Sequence, residues 1–491
     1  MDRGEGAAPS TRPQSWTRYI REVTKYDQFK LLELVAEASC DQLRRSEWAA
    51  GFGKKWQPDN SLHPFVLARI ARDAILSGLD TANKIPRLED LERLCTRYIE
   101  LDDPISRPDA VGGGSWNFLV RVAYEQFPFQ LNPHNELSRS WALFARTAEA
   151  IGAQTMMDAS WRSTLGCDLD EFLRMTFAWQ AAASVSRGRV PRTMLNDPEV
   201  LTFLGNLTLE DVWRVTTQRL SGDIRRLRKD PGNRPVPRGL EKHRYNPLTA
   251  RPYVRRRELL IVPSPQLAAQ RAWPNSLYYD RVKDEGFTNE LGDVFEKYVG
   301  QQLALLEDAG IAQVLPKVPY REQRRELESI DHFLVFPEVL VLVEAKASRL
   351  TAEARLGADR LKGDVTRTLG VAYSQIGTTA ELIRAGRGEF AHLPSDRPIL
   401  GLAVTMEPYF VGWRPAMLPD MPTGVTTFPV SCSDIEGFVS TALAGPVQDI
   451  LLTLANMPHP VGRAFNTAFE GRPAIGNPIL DAAFDDLMER F

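Results

Sequence analysis

Apolar residues recur at three- and four-residue spacing through the first half of the chain. In segment 62–79 they form one row, made of Val66, Leu67, Ile70, Ala71, Ala74 and Ile75. The same spacing returns in 90–101 and 140–157, and a glycine-rich stretch at 112–115 interrupts the series. Because side chains three and four positions apart share one face of a helix, we predict a mostly helical region with a loop at this stretch.

The second half of the chain shows a different order of patterns. Segment 287–310 has helical spacing and ends at Gly310, where a helix is expected to stop. Three strand-like runs, a helical segment and one more strand-like run follow. In chain order these are 311–321, 328–336, 338–348, 359–386 and 397–410. This order predicts a mixed α/β layer in which the nearly continuous apolar run at 338–348 is a central, doubly covered strand.

Between residues 225 and 257 the composition becomes strongly basic. Twelve cations against two acids, Asp230 and Glu241, give this segment a local charge near +10, and five prolines disfavour a continuous helix. We predict an extended basic connector that either attracts a phosphate backbone or is a solvated linker. Its cations are Arg225, Arg226, Arg228, Lys229, Arg234, Arg238, Lys242, Arg244, Arg251, Arg255, Arg256 and Arg257.

Length and composition set the frame for these patterns. The 491 residues exceed what one hydrophobic core usually organises, which favours several domains. The formal net charge of -3 argues against binding nucleic acid through the overall field, so local patches matter more. The four cysteines lie far apart without a CxxC pair, and the N-terminus lacks the apolar run of a secretion signal. We therefore predict a cytoplasmic protein with no membrane segment.

These observations predict a multidomain chain with a mostly α-helical N-terminal region, an α/β domain of mixed sheet flanked by helices, and a helical C-terminal appendage. The predicted ranges are a mobile leader (1–15), a helical domain (16–224), the basic connector (225–257), the α/β domain (258–427) and the appendage (428–491).

Charged residues interrupt the apolar strands of the α/β domain at two places. Asp331 lies within one strand, and Glu344 and Lys346 end the next. Residues two apart on a strand share a face, and a tight hairpin between the two strands would bring Asp331 to that face. Carboxylates that converge in this way suit a hard cation such as Mg²⁺, which polarises water and phosphoryl oxygens. A neighbouring ammonium would orient the attacking water or offset charge on the phosphate.

The segment from about 289 to 410 resembles the PD-(D/E)xK nuclease superfamily, which has the restriction-endonuclease-like fold. The matching residues, in order, are Gly292, Phe295, Glu296, Ile330, Asp331, Glu344, Ala345, Lys346 and Gln375. The position before Asp331 holds isoleucine rather than proline, and the QxxxY form is missing after Gln375.

The resemblance implies a role for each matched polar residue. Asp331 and Glu344 would bind Mg²⁺ or Mn²⁺, assisted by the backbone carbonyl of Ala345. Lys346 would position the nucleophilic water, Glu296 would support the metal or its waters, and Gln375 would contact the site.

Each of these residues also has a structural alternative. Asp331 could be a surface charge paired with His332 or an arginine, and Glu344 and Lys346 could be a solvated strand end. Glu296 could be an ordinary helix-surface acid, with Glu290 as an alternative on the same helix. The chain contains no GxxxxGK[ST], GxSxG or HExxH motif, and no two histidines have metal-ligand spacing.

The leading functional hypothesis is a metal-dependent nuclease that acts on nucleic acid, DNA more than RNA. Its helical N-terminal region would recognise the substrate, a protein partner or an activator, and the chain could form a homo-oligomer. This architecture resembles that of effector nucleases of bacterial anti-phage defence, and a DNA repair or recombination nuclease is an alternative. A nuclease-like module that only binds nucleic acid or assembles with a partner is the rival hypothesis.

Overall fold

The structure is a computed structural model that describes residues 15–51, 62–101, 115–204, 207–355, 360–410, 418–457 and 464–490. The predicted leader, up to residue 14, and the glycines at 112–114 lie outside these residues. The chain divides into two compact units. The first comprises Met1–Gly114 and Met175–Arg271, and the second comprises Ser115–Arg174 and Ala272–Phe491.

Helices form most of the described chain and confirm its mixed α/β character. They are α1 (Trp16–Val23), α2 (Gln28–Gly51), α3 (Pro64–Ser77), α4 (Leu88–Ile99), α5 (Ser115–Gln126), α6 (Pro133–Trp141), α7 (Ala148–Ile151), α8 (Asp158–Leu165), α9 (Leu169–Val185), α10 (Pro198–Leu204), α11 (Leu209–Val215), α12 (Ile224–Arg228), α13 (Pro265–Gln270), α14 (Pro274–Arg281), α15 (Glu285–Asp308), α16 (Ala352–Arg355), α17 (Arg360–Val365), α18 (Val371–Arg384), α19 (Cys432–Ala444), α20 (Gln448–Ala455) and α21 (Pro478–Glu489). Among the described residues, no helix is both long and apolar enough to cross a membrane.

Strands occur in both units. They are β1 (Arg189–Pro191), β2 (Ser221–Gly222), β3 (Tyr253–Arg256), β4 (Leu259–Ile261), β5 (Gln313–Pro316), β6 (Pro319–Glu322), β7 (Arg325–Glu328), β8 (His332–Val335), β9 (Leu340–Lys346), β10 (Ile399–Thr405) and β11 (Thr426–Ser431). The sheet of the first unit has the order β1-β4-β3-β2, and the larger sheet of the second unit has the order β11-β10-β9-β8-β5.

The larger sheet combines two kinds of strand pairing. β5, β8 and β9 are antiparallel neighbours, whereas β10 runs parallel to both β9 and β11. Residues 340–343 of β9 are buried on both faces, which agrees with the continuous apolar run predicted for a central strand. Leu340 and Leu342 pack in one cluster with Tyr373 and Ile376 of α18. Glu344 and Lys346, at the polar end of β9, lie on the same face of the strand as Leu340 and Leu342.

Gly401 of β10 allows α18 to lie close to the sheet. A Cβ atom at this position would lie 2.6 Å from Oγ1 of Thr427 and 2.8 Å from Cγ2 of Ile376. Real side chains almost never make such contacts, so any larger residue would push the helix or the neighbouring strand away. The glycine therefore helps to set the height of α18 above β9.

The two units do not follow the predicted domain ranges. Residues 115–174, which have the same helical pattern as their neighbours, group with the α/β sheet, and so do the helices after residue 428. A buried Arg139–Glu436 ion pair links α6 to α19 within this unit. Helical periodicity identifies the buried face of a helix but not which other element covers that face.

The basic segment 225–257 also differs from an extended connector. Arg228 donates through Nε to the carbonyl of Ile75 at 2.7 Å, and Arg72 donates to the carbonyls of Lys242 and Arg244 at 2.9 and 2.8 Å. The segment is part of the first unit. Its prolines prevent a long helix, and contacts with α3 satisfy some of the backbone groups that a helix would otherwise pair.

Candidate active site

Strand register places the two central carboxylates opposite each other. His332 pairs with Val343 in the antiparallel β8–β9 ladder, so the next position in register sets Asp331 against Glu344. The backbone N–H of Ala345 donates to Oδ2 of Asp331 at 2.8 Å. Because strand side chains alternate between faces, Asp331 lies on the same face as Phe333, and Glu344 on the same face as Leu342. Phe333 and Leu342 pair across the two strands, so this is one face of the sheet.

Lys346 contacts Glu344 on this same face. Nζ of Lys346 lies 2.5 Å from Oε1 of Glu344, whose side chain is 2% exposed, whereas the lysine side chain is 23% exposed. The second oxygen, Oε2 of Glu344, is buried and has no hydrogen-bond partner among the described residues. A buried carboxylate oxygen without a donor is energetically unfavourable, and a cation at this position would satisfy it.

Burial and mutual repulsion shift the titration of the carboxylate pair. Burial, followed by the nearby Glu344, raises the pKa of Asp331 to about 7, and the hydrogen bond from Ala345 opposes this rise. Burial also raises the pKa of Glu344, and Lys346 opposes that rise. The two carboxyl groups are therefore costly to ionise together. A bound divalent cation would stabilise both in their ionised form.

An open cleft of about 1000 Å³ lies over these residues. Glu344, Lys346 and Asp331 line it, and so do Glu296 and Gln375, which come from two different helices. The structure therefore brings together all five residues to which the resemblance assigns a catalytic role. Oε1 of Gln375 is buried without a hydrogen-bond partner among the described residues.

Glu296 contacts a residue that the sequence patterns do not single out. Lys317, between β5 and β6, lies 3.3 Å from Oε1 of Glu296 and 3.0 Å from Oε2 of Glu328. All three line the cleft, and the Glu328 interaction is the largest of those that raise the pKa of Lys317. Neither Lys317 nor Glu328 belongs to a motif, so their position follows only from the path of the chain between the strands.

Two residues near the matched positions have structural partners. Glu290 accepts hydrogen bonds from the backbone N–H groups of Gln154 and Thr155 at 3.1 and 2.8 Å, and it does not line the cleft. Nε2 of His332 lies 3.2 Å from the carbonyl oxygen of Glu296, and burial lowers the pKa of this histidine. Of the two glutamates considered on this helix, Glu296 is therefore the one that lines the cleft.

The donor set fits a hydrated magnesium ion. No group of three or more His, Cys, Asp or Glu side chains in the described part of the chain is arranged to hold a metal. Mg²⁺, however, usually keeps several waters and binds proteins through only one or two carboxylates. Asp331 and Glu344 would supply those two carboxylates, and Oε2 of Glu344, which has no partner among the described residues, would provide a free oxygen.

The cations of the basic segment fall into two groups. Arg226 donates to the carbonyls of Thr217 and Gln218, Arg228 donates to α3, and the Arg256 guanidinium lies 4.6 Å from the ring centroid of Phe29. Among the other cations, Arg225, Lys229 and Arg257 are exposed, and Arg255 is half-buried. Arg234 and Arg238 are also exposed. We therefore expect the contacts of Arg226, Arg228 and Arg256 to stabilise the fold, although Arg226 and Arg256 are also exposed. We expect the other exposed cations to be available to a ligand.

We compared the chain with protein-family models, with curated proteins and with solved structures, and found no match in any of the three comparisons.

Proposed function

We propose that this protein is a metal-dependent nuclease that hydrolyses phosphodiester bonds, with DNA as the preferred substrate. One observation carries the proposal. Asp331, Glu344 and Lys346 meet in an open cleft, and Oε2 of the buried Glu344 has no hydrogen-bond partner among the described residues. A surface ion pair or a solvated strand end would not bury a carboxylate in this way.

The element order around the site also supports the proposal. In chain order, α15, β5, β8, β9, α18 and β10 give a helix, three antiparallel strands, a second helix and a strand parallel to the third strand. The short helices α16 and α17 lie between β9 and α18. This is the helix–strand order that the resemblance to the PD-(D/E)xK superfamily implies. The β6–β7 hairpin is inserted between the first two of these strands.

The residues of the chain would divide the chemistry as follows. Asp331 and Glu344 would hold Mg²⁺ or Mn²⁺, which when bound supplies an activated water and offsets charge on the phosphate. Lys346, partly exposed at the cleft, would donate a hydrogen bond to the attacking water or to a phosphate oxygen. Glu296 and Lys317 would fix the position of outer waters through their ion pair.

Incubation of the purified protein with supercoiled plasmid and with single-stranded DNA tests this proposal. We expect nicking or linearisation in Mg²⁺ or Mn²⁺, and no cleavage when EDTA removes the metal. If the protein binds DNA tightly and leaves it intact with either metal, it is a binding module and the nuclease proposal fails.

Substrate affinity gives a second prediction. Replacing Arg225, Lys229, Arg234 and Arg238 by glutamine should weaken DNA binding and flatten its salt dependence, by about one unit of slope for each cation that contacts a phosphate. These four side chains are exposed, so the variant should fold normally. Fluorescence anisotropy at several salt concentrations measures the slope.

A matched control removes the same charge elsewhere in the first unit. Arg18, Arg21, Lys25 and Lys30 are exposed cations on α1, α2 and the turn between them. Their replacement by glutamine should leave the salt slope nearly unchanged. Equal slopes for the parent protein and both variants would show that the basic segment does not contribute to substrate binding.

A further inference from the structure

Arg349 lies directly behind the wall of the cleft. Tyr278 and Ser348 line the cleft, and Arg349 follows Ser348 in the chain. Its guanidinium carbon lies 4.8 Å from the ring centroid of Tyr278, and its side chain is only 1% exposed. The arginine is therefore three residues from Lys346 and separated from the cleft by one layer of side chains.

This buried guanidinium has almost no hydrogen-bond acceptors. Nε and Nη1 of Arg349 have no hydrogen-bond partner among the described residues, and Nη2 reaches only Sδ of Met406, at 4.0 Å. A thioether is a weak acceptor, whereas a guanidinium carries five N–H donors. Leaving such donors buried and unpaired destabilises the fold, so packing alone does not explain this residue.

The nearest carboxylate already has another partner. Nη2 of Arg355 lies 2.8 Å from both carboxylate oxygens of Glu407 and 2.6 Å from the hydroxyl of Tyr279. Nη1 of Arg349 lies 3.8 Å from the same carboxylate. Two guanidinium groups thus share one carboxylate, and burial with the nearby Arg355 lowers the pKa of Arg349. Arginine remains charged at neutral pH, so one positive charge is left over.

Carboxylates outnumber cations in the lining of the cleft. Its lining has five carboxylates and two ammonium groups, namely Asp293, Glu296, Glu328, Asp331, Glu344, Lys317 and Lys346. Both lysines are paired with acids. A phosphodiester backbone that enters this cleft therefore needs a further cation besides the metal.

We propose that Arg349 is a substrate-binding residue that donates to a non-bridging phosphate oxygen of the nucleic acid in the cleft. The inference rests on the proposed nuclease function and specifies how that site binds its substrate. Rotation of the side chain past Tyr278 gives up a weak sulfur contact, a long ion pair and the cation–π contact with the Tyr278 ring. Charge-assisted hydrogen bonds to phosphate replace them, while Arg355 keeps Glu407 paired.

The test measures DNA affinity and stability together. In a Lys346→Ala background, which prevents cleavage, Arg349→Met should weaken binding of a fluorescent DNA duplex about tenfold and flatten the salt slope by about one unit. The melting temperature of the metal-free protein should stay unchanged or rise, because unpaired donors are removed. Arg349→Lys should restore most of the salt slope, since it keeps the charge.

Arg321→Met is the matched control, because Arg321 has a 77% exposed side chain on the β6–β7 hairpin of the same unit. It should leave affinity and slope unchanged. Equal affinity and slope for Arg349→Met and its parent would overturn the inference, and so would a lower melting temperature in both Arg349 variants. A protein with Lys346 intact that neither binds nor cleaves DNA would overturn the proposed function as well, whereas unchanged affinity and slope in Arg349→Met would overturn the inference alone.

Discussion

Replacement of Lys346 by alanine should lower the rate of Mg²⁺-dependent DNA cleavage by roughly 100- to 10,000-fold. The ammonium is partly exposed at the cleft and lies 2.5 Å from Oε1 of Glu344. It is therefore placed to orient a water or to stabilise charge on the phosphate. Rates of plasmid nicking under single-turnover conditions measure the effect.

Measurement of metal binding distinguishes a role of Lys346 in the chemical step from a role in holding the metal. Without the lysine, Glu344 loses the group that opposes the rise in its pKa, so metal affinity should weaken and should recover as the pH is raised. At a pH where Mg²⁺ affinity has recovered, Lys346→Ala should still fail to cleave. Calorimetric titration with Mg²⁺ measures this affinity.

Lys297→Ala is the matched control, since Lys297 is an exposed lysine on α15 that does not line the cleft. It should cleave at the parent rate. Cleavage by Lys346→Ala within a fewfold of the parent rate would contradict the assigned role.

Replacement of Asp331 by asparagine should stabilise the metal-free protein at pH 8 and abolish its stabilisation by Mg²⁺. The pKa of Asp331 rises from 3.8 to about 7 in the folded protein. This carboxyl therefore contributes stability below about pH 4, and that contribution is lost as the pH rises through about 7. A shift of this size corresponds to at most about 4 kcal/mol, and solvent screening of a half-buried group reduces it to about 1–2 kcal/mol.

Thermal unfolding at two pH values measures this effect. At pH 8 without metal, Asp331→Asn should raise the melting temperature by about 2–6 °C, whereas at pH 4 it should change little. The asparagine oxygen still accepts the hydrogen bond from Ala345, so the β8–β9 pairing is kept. Mg²⁺ should raise the melting temperature of the parent protein but not of the variant.

Asp293→Asn removes one charge from the same cleft at an exposed position and serves as the control. It should keep the Mg²⁺ response. An Asp331→Asn variant that is less stable at pH 8, or that responds to Mg²⁺ like the parent, would exclude this residue as a metal ligand.

The polarity of the residues is visible in the sequence, whereas the β8–β9 register that brings the site together is not. The apolar run before Glu344 and the break in polarity at Asp331 are visible in the sequence, and they predict that charge meets a buried strand there. That Asp331 lies opposite Glu344 depends on the register of β8 against β9. A slip of one residue would turn one strand's charges to the other face of the sheet.

The tertiary structure was also needed to decide which of several similar charged residues reach the cleft. Glu290 and Glu296 lie on one helix, and only the contacts of Glu290 with Thr155 remove it from the candidates. Lys317 and Arg349 belong to no motif, because a residue in a connecting segment reaches a cleft only through the path of the chain. The twelve cations of the basic segment look equivalent in the sequence, yet their packing differs.

The sequence by itself determined the helical and strand periods and the central position of β9. It also singled out Asp331, Glu344 and Lys346 as candidate site residues. All of these depend on the polarity of neighbouring positions in the chain. Tertiary structure decided which helices join the sheet, which acids reach the cleft and which arginines are buried, because these depend on contacts between residues far apart in the chain. That Oε2 of Glu344 has no donor among the described residues belongs to the second group, because it depends on which side chains the fold places around that oxygen.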